Sequence, residues 1–385
     1  MFDITNTSGK KLKLDLGQPV IKRLTVSSGG VILEDISNYN QLMAGILIPS
    51  QAGSGNRHHE SFNLQADTNS AGTDIRESSF TGYSVRHTSA GNKQNASNFT
   101  GVIAAGESYK MCYKLVSGLL DNDKYLPLVL MNAGLTVQLE FAPGNEIGVS
   151  EHAAAVNIDY KVTAIRYVAH LIDLERGFYD RLRSVQQASG GQLTIAGTSF
   201  RSYTGNIDTT GENTINIPAR VRSIKSVFWK LSTAADKQQY NLSSGCHANI
   251  SEYQLKIGAT NYPPTAINCN ATTNKIEPYL ELQKAFGKLG STVHSDLLGS
   301  GSYLTVETVP ANQMTASAMA FAPFGIDLEA FRHEIENGIN TSERSLPMSL
   351  LLKHSPNPTA AEAHIFVMYD AMFYVDMSGA VSVSS

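Results

Sequence analysis

The sequence predicts an all-β chain, built as two tandem β-sandwiches with a few short helices. Three observations carry that reading. Apolar and polar residues alternate in several runs, clusters of turn residues separate those runs, and one segment of the first half recurs in the second. The length agrees: 385 residues exceed the roughly 250 that a single core organises well, and two domains of about 180 residues fit.

The alternation is clearest in Leu135-Thr136-Val137-Gln138-Leu139-Glu140-Phe141, where a period of two sends one face inward and the other to solvent. Tyr109, Met111, Tyr113 and Leu115 alternate with Lys110, Cys112 and Lys114 in the same way, and Tyr253, Leu255 and Ile257 with Gln254 and Lys256. Residues 364–377 form a long aromatic and β-branched run, as strands prefer. Helical periodicity is scarce. Leu174, Phe178, Leu182 and Val185 share one helical face that stops at Ser189-Gly190-Gly191. Tyr279, Leu282, Phe286 and Leu289 predict a second helix closed by Gly290, and Leu328, Phe331 and Ile335 a third ended by Gly338.

The repeat relates LVSGLLDNDKYLPLVL (115–130) to IENGINTSERSLPMSL (335–350) at a constant offset of 220 without a gap. Gly118 matches Gly338, Leu126 matches Leu346, Pro127 matches Pro347 and Leu130 matches Leu350. The glycine is expected to permit a left-handed turn, a polar loop follows, and Leu-Pro starts a strand where a missing N–H does no harm. A duplicated β-sandwich accounts for both copies.

Composition excludes several functions. A net charge of −4 argues against wrapping nucleic acid, and the basic cluster Lys10, Lys11 and Lys13 reads as a solvated strand. Charged residues make up only 17%, which suits a surface hidden against neighbours. Cys112, Cys246 and Cys269 form neither a disulfide framework nor a metal pair and are expected to be buried thiols in a reducing compartment. No signal peptide or apolar stretch of membrane length is visible, so synthesis in the cytosol or nucleus is expected, where sequons such as Asn95-Ala96-Ser97 carry no meaning. His58-His59-Glu60 lacks further ligands for a structural metal. The acid pairs Asp173/Glu175 and Glu334/Glu336 sit where carboxylates usually solvate a helix, and no nucleophile elbow, phosphate loop or HExxH motif occurs. No catalytic, cofactor-binding or metal residue is therefore assigned; the residues singled out are Gly118, Leu126, Pro127, Leu130, Gly338, Leu346, Pro347 and Leu350. Trp229, in VFWKL, could belong to core or interface.

Taken together, the passage 118–127, the strand Leu135–Phe141, Val162–Leu174, Ser251–Pro264, Tyr279–Leu289 and Asp327–Leu350 resemble the double jelly-roll major capsid proteins of the adenovirus hexon-like and tailless-phage lineage. The local sequences look most like those of polinton-like viruses and virophages. The resemblance implies two eight-stranded jelly rolls, a trimer that imitates a hexagonal tile, and an icosahedral shell. It implies a virion location, no enzyme activity and no cofactor. The implied partners are further copies of the chain, penton and minor capsid proteins and, beneath the shell, an internal membrane, with no sequence-specific nucleic-acid contact.

The expected organisation is an N-terminal arm (1–14), a first jelly roll (15–173) with a long surface loop (50–101), a connecting helix (174–190) and a second jelly roll (191–385). The chief competing function is a carbohydrate- or receptor-binding β-sandwich; neither clustered aromatic platforms nor an acidic Ca²⁺ loop supports it. A β-rich glycoside hydrolase would need two carboxylates in one cleft.

Overall fold

A computed structural model of the chain describes residues 1–9, 12–14, 18–51, 103–122, 124–150, 159–232, 245–289, 298, 303–304, 322–331, 334–343 and 346–385. The loop 50–101 beyond its first two residues, Lys10, Lys11, His58, His59, Glu60 and Gly290 lie outside these.

The first half contributes β1 (Phe2–Asn6), β2 (Leu12–Leu14), β3 (Ile21–Ser28) and β4 (Val31–Ser37). A helical stretch follows: α1 (Tyr39–Leu42), a π-turn (Met43–Leu47) and α2 (Ile48–Gln51). Then come β5 (Ser108–Met111), β6 (Leu135–Phe141), the short α3 (Gly144–Ile147), β7 (Gly148–Ser150) and β8 (Tyr160–Thr163). The helix α4 (Arg176–Ala188) leads into the second half. There lie β9 (Gln192–Ile207), β10 (Glu212–Ile217), β11 (Ile224–Ser232), β12 (Ile250–Ile257) and β13 (Thr260–Asn268), then α5 (Ile276–Ala285), β14 (Phe324–Asp327), β15 (Met348–His354), β16 (Ala361–Asp376) and β17 (Val381–Ser384).

In the second half the strands from β9 to β16 form two antiparallel sheets with neighbours β9-β16-β11-β14 and β10-β15-β12-β13. Counted along the chain, these are the orders 1-8-3-6 and 2-7-4-5, the jelly-roll connectivity. The tandem organisation follows from comparing pairings. β11 pairs with β14 and β16, and β12 with β13 and β15. In the first half β1 pairs with β5 and β8, and β3 with β4 and β6. Six strands thus recur in the same chain order with the same partners. The hairpins β3–β4 and β12–β13 both turn on left-handed glycine, Gly29-Gly30 and Gly258. Each hairpin is followed by helix, and the next described strand begins only at Ser108 or Phe324. Beside this frame the first half adds the short pair β2–β7.

Burial explains which runs became strands. β15 alternates buried with less buried residues, whereas β16 is buried on both faces, as a central strand with partners along both edges must be. Trp229 is fully buried, stacked on Phe324 with ring centroids 5.6 Å apart and edge-on to Tyr253 at 5.0 Å. It belongs to the core. One large apolar cluster joins β3, β4 and α1 to both sheets of the second half; a smaller one gathers Phe2, Ile4, Leu12, Leu14, Met111 and Ile147.

Several expectations need correction. Residues 328–331 and 334–338 bend but form no helix. Asn337 Oδ1 accepts the N–H groups of Ala330 (3.0 Å) and Phe331 (2.9 Å), and Glu336 adopts φ 56°, so the backbone donors a helix would pair are taken by side chains. The helix α5 ends four residues before Leu289, closed by Gly287 at φ 69° with its N–H on Lys284 O. β5 stops at Met111, although the alternation runs on to Leu115. Cys246 and Cys269 are buried, but Cys112 is exposed, since it follows the inward-facing Met111 on the alternate side; no disulfide joins the three.

Candidate functional site

The repeated turn lies in the same place in both halves, between β5 and β6 and between β14 and β15. Its glycines do not adopt left-handed conformations. They are small for a different reason. A Cβ on Gly338 would sit 2.2 Å from Ile224 O, and one on Gly118 would sit 2.9 Å from Thr198 O. Each glycine lets the turn lie directly on the backbone of a neighbouring strand or its approach. Opposite Gly118, Gly197 is bare as well, and a Cβ there would stand 2.1 Å from Gly118 O.

Buried carboxylates tie both turns down. On β4, Glu34 is 1% exposed and accepts hydrogen bonds from Gly118 N (2.8 Å), Leu119 N (3.1 Å), Ser199 Oγ (2.5 Å) and Ser117 Oγ. On β16, Asp370 accepts from Ser223 Oγ (2.7 Å) and Glu336 N (3.0 Å), while Gly338 N donates to Ser223 Oγ (2.9 Å). Lys225 Nζ lies 3.3 Å from Asp370 and 3.0 Å from Glu329. Burial alone would lower the lysine's pKa, but its hydrogen bonds and charge pairing with Glu329 and Asp370 outweigh burial and raise it. Donors surround each carboxylate, so these are satisfied structural charges.

The other matched residues divide. Pro347 immediately precedes β15, in which Leu350 is fully buried, whereas Pro127 precedes a single 3₁₀ turn, Leu128–Leu130, and β6 begins only at Leu135. Leu126, Leu130 and Leu346 pack part-buried against the main cluster. Sequence reasoning missed Glu34, Ser117, Gly197, Ser199, Ser223 and Asp370. The one available signal was Asp370, an acid within an aromatic run; Glu34 stands next to Asp35 and gave none.

The features that could support chemistry do not converge. A cleft of about 420 Å³ lies between the first turn and β9, lined by Leu47, Val116, Asn122, Ala196 and Phe200 among others. Burial pushes the Cys269 thiol up to about 12 and lowers His247 and His354. Asp173, Glu175, Glu334 and Glu336 are all exposed. Among the described residues no cluster of metal-ligating side chains occurs, and no helix is long and apolar enough to cross a membrane.

What the surface does offer is uncovered apolar area. Ile165, Tyr167, Val168, Leu171, Ile172, Leu174, Phe178 and Val185 are between 41% and 79% exposed along one segment joining the halves. In α4 the buried residue is Gln186, whose amide donates to Val375 O, so Phe178 and Val185 of the predicted stripe face outward while Leu182 is half-buried.

Comparison with solved structures bears on this geometry. PBCV-1 VP54, in a crystal structure fitted into a cryo-EM reconstruction of the virophage Sputnik, aligns over all of this chain and 88% of its own, with TM-score 0.51 and 8% identity. The Faustovirus major capsid protein aligns over 95% of this chain and 73% of its own, with TM-score 0.50 and 8% identity. The chain shares their fold. The similarity is therefore to double jelly-roll capsid proteins, as the sequence resemblance implied. No protein-family model matches the chain, and no curated protein matches it.

Proposed function

We propose that this chain is a major capsid protein that assembles as a pseudo-hexameric homotrimer and tiles an icosahedral virus shell. The observation that carries the reading is the recurrence of six strands with the same partners in both halves. Two similar domains per chain allow three chains to present six similar blocks around a threefold axis. The likeness in fold to capsid proteins and the outward apolar segment support the same role.

On this reading the protein is not an enzyme and needs no cofactor. Its work is geometric, through contacts apolar at their centres. It resides in the virion after synthesis in the host cytosol or nucleus, and meets copies of itself, penton and minor capsid proteins and an underlying membrane. The residues Gly118, Leu126, Pro127 and Leu130, with Gly338, Leu346, Pro347 and Leu350, form the repeated joint before β6 and β15, and in the second half Pro347 sets where the strand starts.

Size-exclusion chromatography with multi-angle light scattering tests this. A stable species near three times 41.6 kDa is expected. A monomer that binds a glycan array would instead favour the carbohydrate-binding alternative, and hydrolysis of a glycan panel would favour an enzyme.

A further inference from the structure

We propose that His247 and His354 form an acid-released latch at one end of the second sandwich, holding the corner before β12 closed while both rings are neutral. The inference stands apart from the capsid reading, because it concerns three loops of a single chain.

The corner is built from connections that the strands bring to the same end. Residues 246–249 lead into β12, residues 208–211 join β9 to β10, and residues 355–360 join β15 to β16. Backbone bonds stitch them together. His354 N donates to Gly211 O (2.8 Å), Ser355 N to Asn249 O (2.9 Å) and Ile250 N to His247 O (2.9 Å). The turn itself is costly. Ala248 and Asn249 both adopt left-handed backbone, at φ 46° and 52°, which an alanine takes up only where its surroundings impose it.

The two histidines supply that constraint, and each does so only in its neutral form. His247 Nδ1 accepts the Asn249 N–H at 3.0 Å. An imidazolium has no acceptor, so a proton on that nitrogen sets two N–H groups against each other. His354 works from the other side. It is 6% exposed, and its Nδ1 lies 2.7 Å from Ala248 O; a carbonyl only accepts, so Nδ1 carries the hydrogen. The Nε2 of the same ring is buried and meets no hydrogen-bond partner. A proton there would be a buried donor with nothing to receive it, and the ring must leave its place for water to reach it.

The surrounding charges leave this conflict in place. Burial lowers His247 and the nearby Lys275 lowers it further, while a bond to its own backbone pulls the other way. Burial also lowers His354, against the upward pull of the Ala248 carbonyl and the exposed Asp208. Lys353, on the alternate face of β15, pairs with Glu252 at 2.9 Å and lies in the field of Glu212.

Hydrogen–deuterium exchange of the full chain at pH 7.5 and 5.5, corrected for the intrinsic pH dependence of exchange, tests the latch. A released ring recovers the ordinary value of 6.5, so at pH 5.5 each histidine that the closed form keeps neutral favours opening by up to about tenfold. The amides of Asn249, Ile250 and Ser355 are expected to exchange about tenfold faster at the lower pH, while those of Phe366 and Val367 in β16 keep their protection. His247→Asn with His354→Asn retains an acceptor and a donor where the Nδ1 edges stand, without a titrating ring, and should abolish the acid acceleration. Equal exchange at both pH values in the unsubstituted chain overturns the proposal, and that result needs no variant. An acceleration shared by β16 overturns it too, since the fold would then loosen as a whole. So does a double variant that still opens in acid.

Discussion

Glycine does its work here by absence of volume. At Gly338 the added carbon of Gly338→Ala would overlap the Ile224 backbone, which cannot rotate away as a side-chain tip could. A loss of about 3 kcal/mol in denaturant unfolding is expected. Gly134→Ala, with open space around it, should change stability little. Equal effects at the two positions would show that the turn does not press on the strand. The second prediction at this scale concerns protons. Burial holds His247 and His354 below the ordinary histidine value of 6.5, although the His354 ring also meets Ala248 O at 2.7 Å. Just below 6.5 the unfolded chain therefore binds protons that the fold refuses. The stabilisation is complete above that pH and is lost as pH falls toward the folded values. The melting temperature should rise from about pH 5.5 to 7.5, and His247→Gln with His354→Gln should flatten that rise. An unchanged slope would remove both histidines from the account.

Among the elements, β16 has the most to lose, being paired along its whole length with β9 and on its other edge with β11 and β17. Its amides near Phe366 and Val367 should exchange with deuterium most slowly, well behind those of β5 and β8 in the three-stranded sheet. Comparable rates would mean that the second-half sandwich is not the stable body of the molecule. Legibility in the sequence also varied by element. Leu135–Phe141 could be read directly, because a solvated face on one side writes a period of two into the residues. The spacing of Leu328, Phe331 and Ile335 looked equally helical, yet Asn337 captures the backbone there, and capture by a side chain leaves no periodic trace. The apolar stripe of α4 was visible, but the direction it faces was not, since period alone does not say whether the covering surface belongs to the same chain.

For the whole molecule, the repeat at offset 220 announced the duplication, and the paired strands reveal much more of it than residue identities do. Side chains at most positions of a sheet need only be apolar or polar in turn, so two copies can diverge almost completely while their pairing stays the same. What survived in sequence was the turn whose glycine touches backbone. The carboxylates that hold each turn, Glu34 and Asp370, stand on strands that do not correspond between the halves, so no comparison of the two sequences could have paired them.

If three copies of this doubled sandwich build a six-sided tile, as proposed, averaged electron-microscope images of the purified chain will show it. The expected particles are threefold, with a near-hexagonal outline and two similar blocks per subunit. Isolated two-lobed monomers, or twofold dimers, would contradict it.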